Sequence, residues 1–454
     1  MINQDLTTGS VTKSMLLFAG PMIAGNLLQQ CYNITDTWIV GMYLGPDALG
    51  AVGAAFTLMT FLTSILIGLC MGSGSLCSFY YGKKDEQSMK NRMQIAFLLI
   101  GSITVVLNIL VLLLLKPILY LLRVPDELLG MMQEYTQIIV IGMCFVFLYN
   151  YCSYLLRAIG NSVVPLFFLG VAVGLNIILD LVLVVKVQWG IGGAAAATVI
   201  AQAAAGLGIA VYTWFREKQL RFHKSGFRFE KRAIAEILRF SFASSIQQSV
   251  MNFGILMIQG LVNSFGPAVM AAFAAAVKID SFAYMPAQEF GNAFSLFISQ
   301  NYGAGNHDRV KQGTKSAMKV SVVFCLIISG LVFALARYLM LLFVKPTELE
   351  IITTGMGYLR VEGAFYCGIG ILFLLYGYYR GVNRPELSLV LTIISLGTRV
   401  LLAYILAPVA SIGVWGIWWA IPIGWCLADV VGIAYMAYYT KKLKGRYEGS
   451  DRLV

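Results

Sequence analysis

An aspartate, Asp36, stands in the apolar stretch 12–43, which is long enough to cross a bilayer, since a helical span needs roughly 20 predominantly apolar residues. Asn26, Gln29 and Asn33 precede it at spacings of three and four, which puts all four on one helical face. An acid deep in a span costs about 3 kcal/mol on insertion scales and seldom faces lipid. Such acids mark ion pathways and proton relays, or pair statically with another helix. Pro21 lies upstream and removes a backbone donor, so a bend is expected there. A second constellation is Asn176 and Asp180, four apart in the apolar stretch 170–185 and therefore on one face. Two carboxylates meeting at low dielectric do not both ionise readily. Such a site holds a proton in one state and releases it in another. The plainer alternative is a fixed acid–amide knot, because buried polar groups normally pair.

The second half of the chain carries different charges. Lys278, Asp280 and Glu289 fall in one stretch, Glu362 and Arg399 in later ones. Lys278 and Asp280, two apart, point to different faces. With Glu362 and Arg399 they could form a charge network. Glu289 could bind a lipophilic cation with help from aromatic faces, take part in ion coupling, or pair with Lys278 or Arg399. Gln248 and Asn252, four apart, add hydrogen-bonding capacity or serve as interhelical glue. Trp415, Trp418 and Trp419 read as an interfacial belt.

These residues need membrane-spanning helices to hold them. The 454 residues are 59% hydrophobic and only 12% charged, the profile of a polytopic membrane protein. Twelve spans are predicted, near 12–42, 47–80, 93–116, 130–157, 162–186, 190–215, 234–263, 268–301, 314–343, 352–380, 385–408 and 412–440. The net charge of +11 comes from loops on one side, which hold about twenty Lys and Arg against about five on the other. That bias excludes nucleic acid as the partner, makes the bilayer the partner instead, and places both termini in the cytoplasm. The basic stretch 216–232 separates an N-terminal lobe (1–215) from a C-terminal lobe (233–454).

The two halves repeat. Gly45-Pro46 and Gly266-Pro267, Gly82 and Gly303, and Ile191 and Ile412 are each 221 positions apart, while Arg157 answers Arg380 with a small insertion. Six spans per half, similarly oriented, give a parallel repeat with a substrate cavity expected between lobes and alternating access by rocking. The fold expected is an all-α integral membrane protein of twelve helices in two pseudo-symmetric six-helix lobes.

From PMIAGNLLQQCYNITDTWIVG through YMPAQEFGNAFSLFISQNYGAGN (284–306) to RVLLAYILAPVASIGVWGIWWAIPIGW (399–425), the chain resembles the MATE (multidrug and toxic compound extrusion) transporters, particularly their bacterial drug-exporting branch. The resemblance implies a V-shaped twelve-helix bundle that exports drugs in exchange for H+ or Na+. It implies ion coupling at Asp36, Asn176 and Asp180. Glu289 looks like the eighth-helix acid of drug exporters; from their own polarity and spacing, Gln248, Asn252, Asn33 and Gln29 are expected as further substrate contacts. No cofactor and no firm metal site are implied beyond the coupling ion, and a monomer is expected. A flippase for lipid-linked saccharides is the alternative, although it would favour a cationic cavity. A membrane-embedded enzyme is disfavoured by the lack of HExxH or a clustered nucleophile–base pair, and direct ATP use by the lack of a GxxxxGK[ST] loop.

Overall fold

A computed structural model describes residues 3–121, 125–222 and 228–450, with side chains as far as Tyr438. Positions 223–227 of the expected basic linker and 451–454 of the tail lie outside the described residues. Every long described element is an α-helix: α1 (Val11–Gly82), α2 (Glu86–Leu121), α3 (Asp126–Ala158), α4 (Val163–Asp180), α5 (Gly190–Arg216), α6 (Lys231–Asn263), α7 (Pro267–Gly303), α8 (His307–Leu341), α9 (Leu349–Ala364), α10 (Tyr366–Gly381), α11 (Pro385–Leu406) and α12 (Val414–Ser450). α4 continues into a π-helical turn, Leu181–Lys186.

As one rod, the 72 residues of α1 would run about 110 Å, far beyond a hydrocarbon core of about 30 Å. The backbone leaves helical angles at Gly45 (φ 87, ψ −177), and Pro46 then supplies no N–H. α1 therefore holds the first two expected spans. Its second-half counterpart, Gly266, also has positive φ (97), a conformation open mainly to glycine. The helix runs with helical angles through Pro21, and the departure falls at Gly45 instead. Conversely, the single span expected at 352–380 is split into α9 and α10, bent by 52°. There the Phe365 N–H donates to the Glu362 carbonyl at 3.0 Å, a three-residue closure that tightens and ends α9.

Nine described helices are long and apolar enough to cross a membrane, or ten with the bent pair counted as one span. Large apolar side chains face outward as well as inward. On α2, Val105, Val106, Ile109, Leu110 and Leu113 stand exposed while Thr104 and Asn108 are buried, the pattern of a helix whose apolar stripe meets lipid. α6 falls outside the apolar set because its inward positions, Ser241, Ser244, Ser245 and Gln247, are polar and buried. The chain is an all-helical, multi-pass membrane protein. Trp418 departs from the expected belt: it is 1% exposed and stacks on Phe273 with centroids 5.6 Å apart. Trp415 and Trp419 remain half exposed.

The helices form two compact units. Unit 1 comprises Met1–Ser249, Leu296–Gly313 and Arg380–Pro385; unit 2 comprises Val250–Ser295, Thr314–Tyr379 and Glu386–Val454. Within unit 1 the ends of α1 and α7 cross at two glycines. A Cβ on Gly82 would overlap the Gln300 carbonyl, and one on Gly303 would overlap the Phe79 carbonyl. Phe79 and Gln300 are themselves 221 apart, so the crossing is self-complementary about a pseudo-twofold axis. Beside it, Glu236 at the start of α6 accepts from Arg92 Nε at 2.7 Å and Tyr80 Oη at 2.9 Å, which docks α6 onto α2 and α1.

Asp85 precedes α2 and accepts from the Ser88 N–H at 3.1 Å. Burial pushes its carboxyl up, but the Ser88 N–H and hydroxyl and the nearby Lys83 ammonium outweigh that and hold it below the usual carboxylate range. Asp85→Ala is expected to cost about 1 kcal/mol at neutral pH, as loss of a helix cap does. Because the folded value is depressed, this stability is present above the unfolded value of about 4 and is lost as pH falls through the folded one. Thermal unfolding in detergent at pH 7 and pH 3 tests it: the variant should melt lower only at pH 7.

Candidate functional site

α1, α3, α4 and α5 pack against one another in unit 1. Gly206 on α5 leaves no room for a Cβ against the Phe145 carbonyl of α3, so these helices meet closely. Into this bundle α1 sends Asp36, 9% exposed, and α4 sends Asp180 and Asn176, each 1% exposed. The carboxyl groups of Asp36 and Asp180 stand within hydrogen-bonding reach of one another. Carboxylates are acceptors only, so a bond between them requires one shared proton.

The surrounding groups fix this geometry. With its amide oxygen toward α5, Asn176 accepts from the Thr198 N–H at 3.2 Å and donates to Asp180 Oδ2 at 2.8 Å. The hydroxyls of Thr198 and Tyr32 are 3.3 Å apart, and Tyr135 of α3 is buried near enough to feel both acids through space. One carboxylate oxygen each of Asp36 and Asp180 has no hydrogen-bond partner, and among the described residues no Lys or Arg pairs with either acid. Two buried acids this close do not both ionise readily, so the arrangement can hold a proton or another small cation.

Tyr32, Tyr135 and Thr198 are members that sequence reasoning missed. Tyr32 lies four before Asp36, which is a usable signal. Tyr135 and Thr198 come from other helices, and their types carry none.

Gln29 donates to Asn33 Oδ1 at 3.3 Å, on the Asp36 face of α1. Gln248 is half-buried in unit 1, while Asn252 and Glu289 are half-buried in unit 2. Glu289 accepts from Asn292 Nδ2 at 3.3 Å.

Unit 2 has its own acidic cluster. Asp280 accepts from Tyr366 Oη at 2.7 Å and Tyr358 Oη at 3.4 Å. Glu362 is fully buried at the α9–α10 break, and neither of its carboxylate oxygens has a partner. Arg399 acts on both acids through space. Lys278 is not drawn into this cluster; it lies on the exposed face of α7. Among the described residues no group of three His, Cys, Asp or Glu is arranged to hold a metal ion.

A sequence model of the MatE family matches residues 21–182 and 241–405. The chain is 31% identical to the probable multidrug resistance protein YpnP of Bacillus subtilis over 392 residues, covering 86% of this chain and 87% of that one. It is 27% identical over 450 residues to the probable multidrug resistance protein YoeA of the same organism, covering 97% of each. A solved structure described as the outward-facing conformation of a multidrug resistance MATE family transporter of the MOP superfamily superposes with a TM-score of 0.90 at 24% identity, over 97% of this chain and 98% of that one. With the family matched across both repeats and the fold shared throughout, the chain belongs to the MATE family of multidrug efflux transporters, and it is a transporter rather than an enzyme.

Proposed function

We propose that this transporter exports amphipathic organic cations in exchange for protons bound at Asp36 and Asp180. The observation that supports this most is the pair of buried carboxyl groups within hydrogen-bonding reach and, among the described residues, without a basic partner. A proton bound there satisfies both acids. When it leaves, two negative charges face each other at low dielectric and the arrangement of α1 against α4 becomes costly. Asn176, Thr198, Tyr32 and Tyr135 orient the acids and keep them from other donors.

Substrate contact is assigned by chemistry to Glu289, whose carboxylate suits a cation, and to the amides of Gln29, Asn33, Gln248 and Asn252. The two six-helix repeats, 1–215 and 233–454, alternate exposure of the substrate site to the two membrane faces. The basic end of the helices, with both termini, faces the cytoplasm. The protein works as a monomer, with the bilayer its one standing partner.

Efflux of a fluorescent lipophilic cation from proteoliposomes, under a proton gradient alone and then a sodium gradient alone, tests the reading. Proton-driven efflux is expected. Efflux driven by sodium alone would transfer coupling to the Asp280–Glu362 cluster, and no efflux under either gradient would overturn drug export.

A further inference from the structure

Residues ahead of the first helix commonly form a loose tail. Here they are tied down on both sides. Asn3 Nδ2 donates to both carboxylate oxygens of Glu217, at 3.2 and 3.1 Å, and Asn3 Oδ1 accepts from Asn161 Nδ2 at 2.8 Å. The Gln4 N–H donates to the Gly160 carbonyl at 3.1 Å. Gly160 has φ +87, and a Cβ there would overlap the Gln4 carbonyl. Leu6 is fully buried. These contacts are with the first repeat and, at Glu217, with the start of the stretch that follows it.

The opposite side of the segment is held by the second repeat. Arg309 of α8 donates to the carbonyls of Leu6, Thr8 and Gly9 at 3.1, 2.7 and 2.7 Å. Its Nε donates to Asn301 Oδ1 at 3.0 Å, and Asn301 Nδ2 donates to the Leu6 carbonyl at 3.1 Å. Asp5 shapes the turn by accepting from the Thr7 N–H and hydroxyl at 2.8 and 2.6 Å. A guanidinium serves three carbonyls at once because its donors are fixed in a planar fork, which a lysine lacks. All of these residues lie within unit 1, as does the Gly82–Gly303 crossing.

The segment also grips α1 directly, through Gln4 Nε2 donating to the Ser14 carbonyl at 3.2 Å. The helix so held is the one that carries Asp36.

We propose that Asn3–Gly9 is a latch, with Arg309 as its hook, that keeps the basic face closed over the Gly82–Gly303 crossing. Its hydrogen bonds are divided between the repeats, so the ends of α1 and α7 cannot part on that face while both sets persist. Opening toward the cytoplasm requires one set to break. Through Ser14, movement of α1 at its proton site reaches the latch directly. This inference rests on the alternating-exposure reading above.

The test uses the full chain in liposomes, with native cysteines changed to alanine and Ser299→Cys as reporter. Ser299 is fully buried in α7 near the crossing. Its alkylation by a membrane-impermeant maleimide from the basic face is timed in four forms: the intact latch, Arg309→Ala, Arg309→Lys, and a chain lacking residues 2–9. Loss of several charge-assisted bonds is expected to speed alkylation by about tenfold or more in Arg309→Ala and the truncated chain, with Arg309→Lys between. A second reporter, Ala194→Cys, buried in α5, should stay unlabelled throughout.

Unchanged rates at Ser299→Cys in the Arg309→Ala form overturn the latch. So does equal labelling at Ala194→Cys, which would mean general loosening. If the truncated chain does not fold, Arg309→Ala decides alone. Dye efflux from the intact preparation is read separately: its absence would sink the export reading, while the alkylation rates would still decide the latch.

Discussion

Asp36→Asn protein is expected to lose proton-driven efflux of a fluorescent cation by at least about tenfold, because an amide of the same shape keeps hydrogen bonds but carries no exchangeable charge. Asp180→Asn should behave alike. The two carboxyl groups stand within hydrogen-bonding reach, so on the proposed reading they share one proton and act as a single unit. Effects within one such unit are not additive. The double variant is therefore expected to lose little more than either single one. Rates of all three variants, measured in proteoliposomes under one imposed gradient, check both statements. A single variant at the wild-type rate would remove the acid pair from coupling. A double variant whose loss is the product of the single losses would show the acids working separately.

The second large effect is steric. Gly303→Ala places a methyl group on the Phe79 backbone carbonyl, and a backbone cannot move aside as a flexible side chain can. Overpacking of this kind costs roughly 1–3 kcal/mol, and here it also forces apart the ends of α1 and α7. We expect a lowered Tm together with loss of turnover. Gly397→Ala is the matched control: Gly397 lies inside α11 with nothing within 4 Å of an added Cβ. There alanine should be neutral or stabilise by about 0.5–1 kcal/mol, as in an open helix interior. Equal behaviour of the two variants would mean that the close crossing is unimportant.

The parts of this arrangement that sequence made legible are those where residue type and backbone demand coincide. Gly45 and Gly266 mark matching turns because both need positive φ. Gly82 and Gly303 mark matching approaches because neither tolerates a Cβ. Asp36 and Asp180 were legible because an acid in an apolar helix is costly wherever it stands. Thr198 and Tyr135 were not, since hydroxyl groups are common in such helices and only tertiary packing selects these two. The break at Phe365 was hidden for a related reason: no proline or glycine sits at that residue. The N-terminal segment reads as an ordinary polar tail, because about half of its grip comes from backbone groups that every residue possesses. Trp418 differs from its neighbours only in the direction it faces on α12.

The π-helical turn after Asp180 has a consequence for the history of the two halves. Arg157 corresponds to Arg380 and Ile191 to Ile412, so the first-half stretch between these landmarks is two residues longer than its copy. A π turn is the form an α-helix takes when it accommodates one residue too many without breaking, and this one, Leu181–Lys186, lies inside the longer stretch. The halves of a duplicated chain are free to drift apart in length where register does not matter. One surplus residue fits this turn, immediately beyond Asp180, so the two copies differ in register close to the buried acid pair.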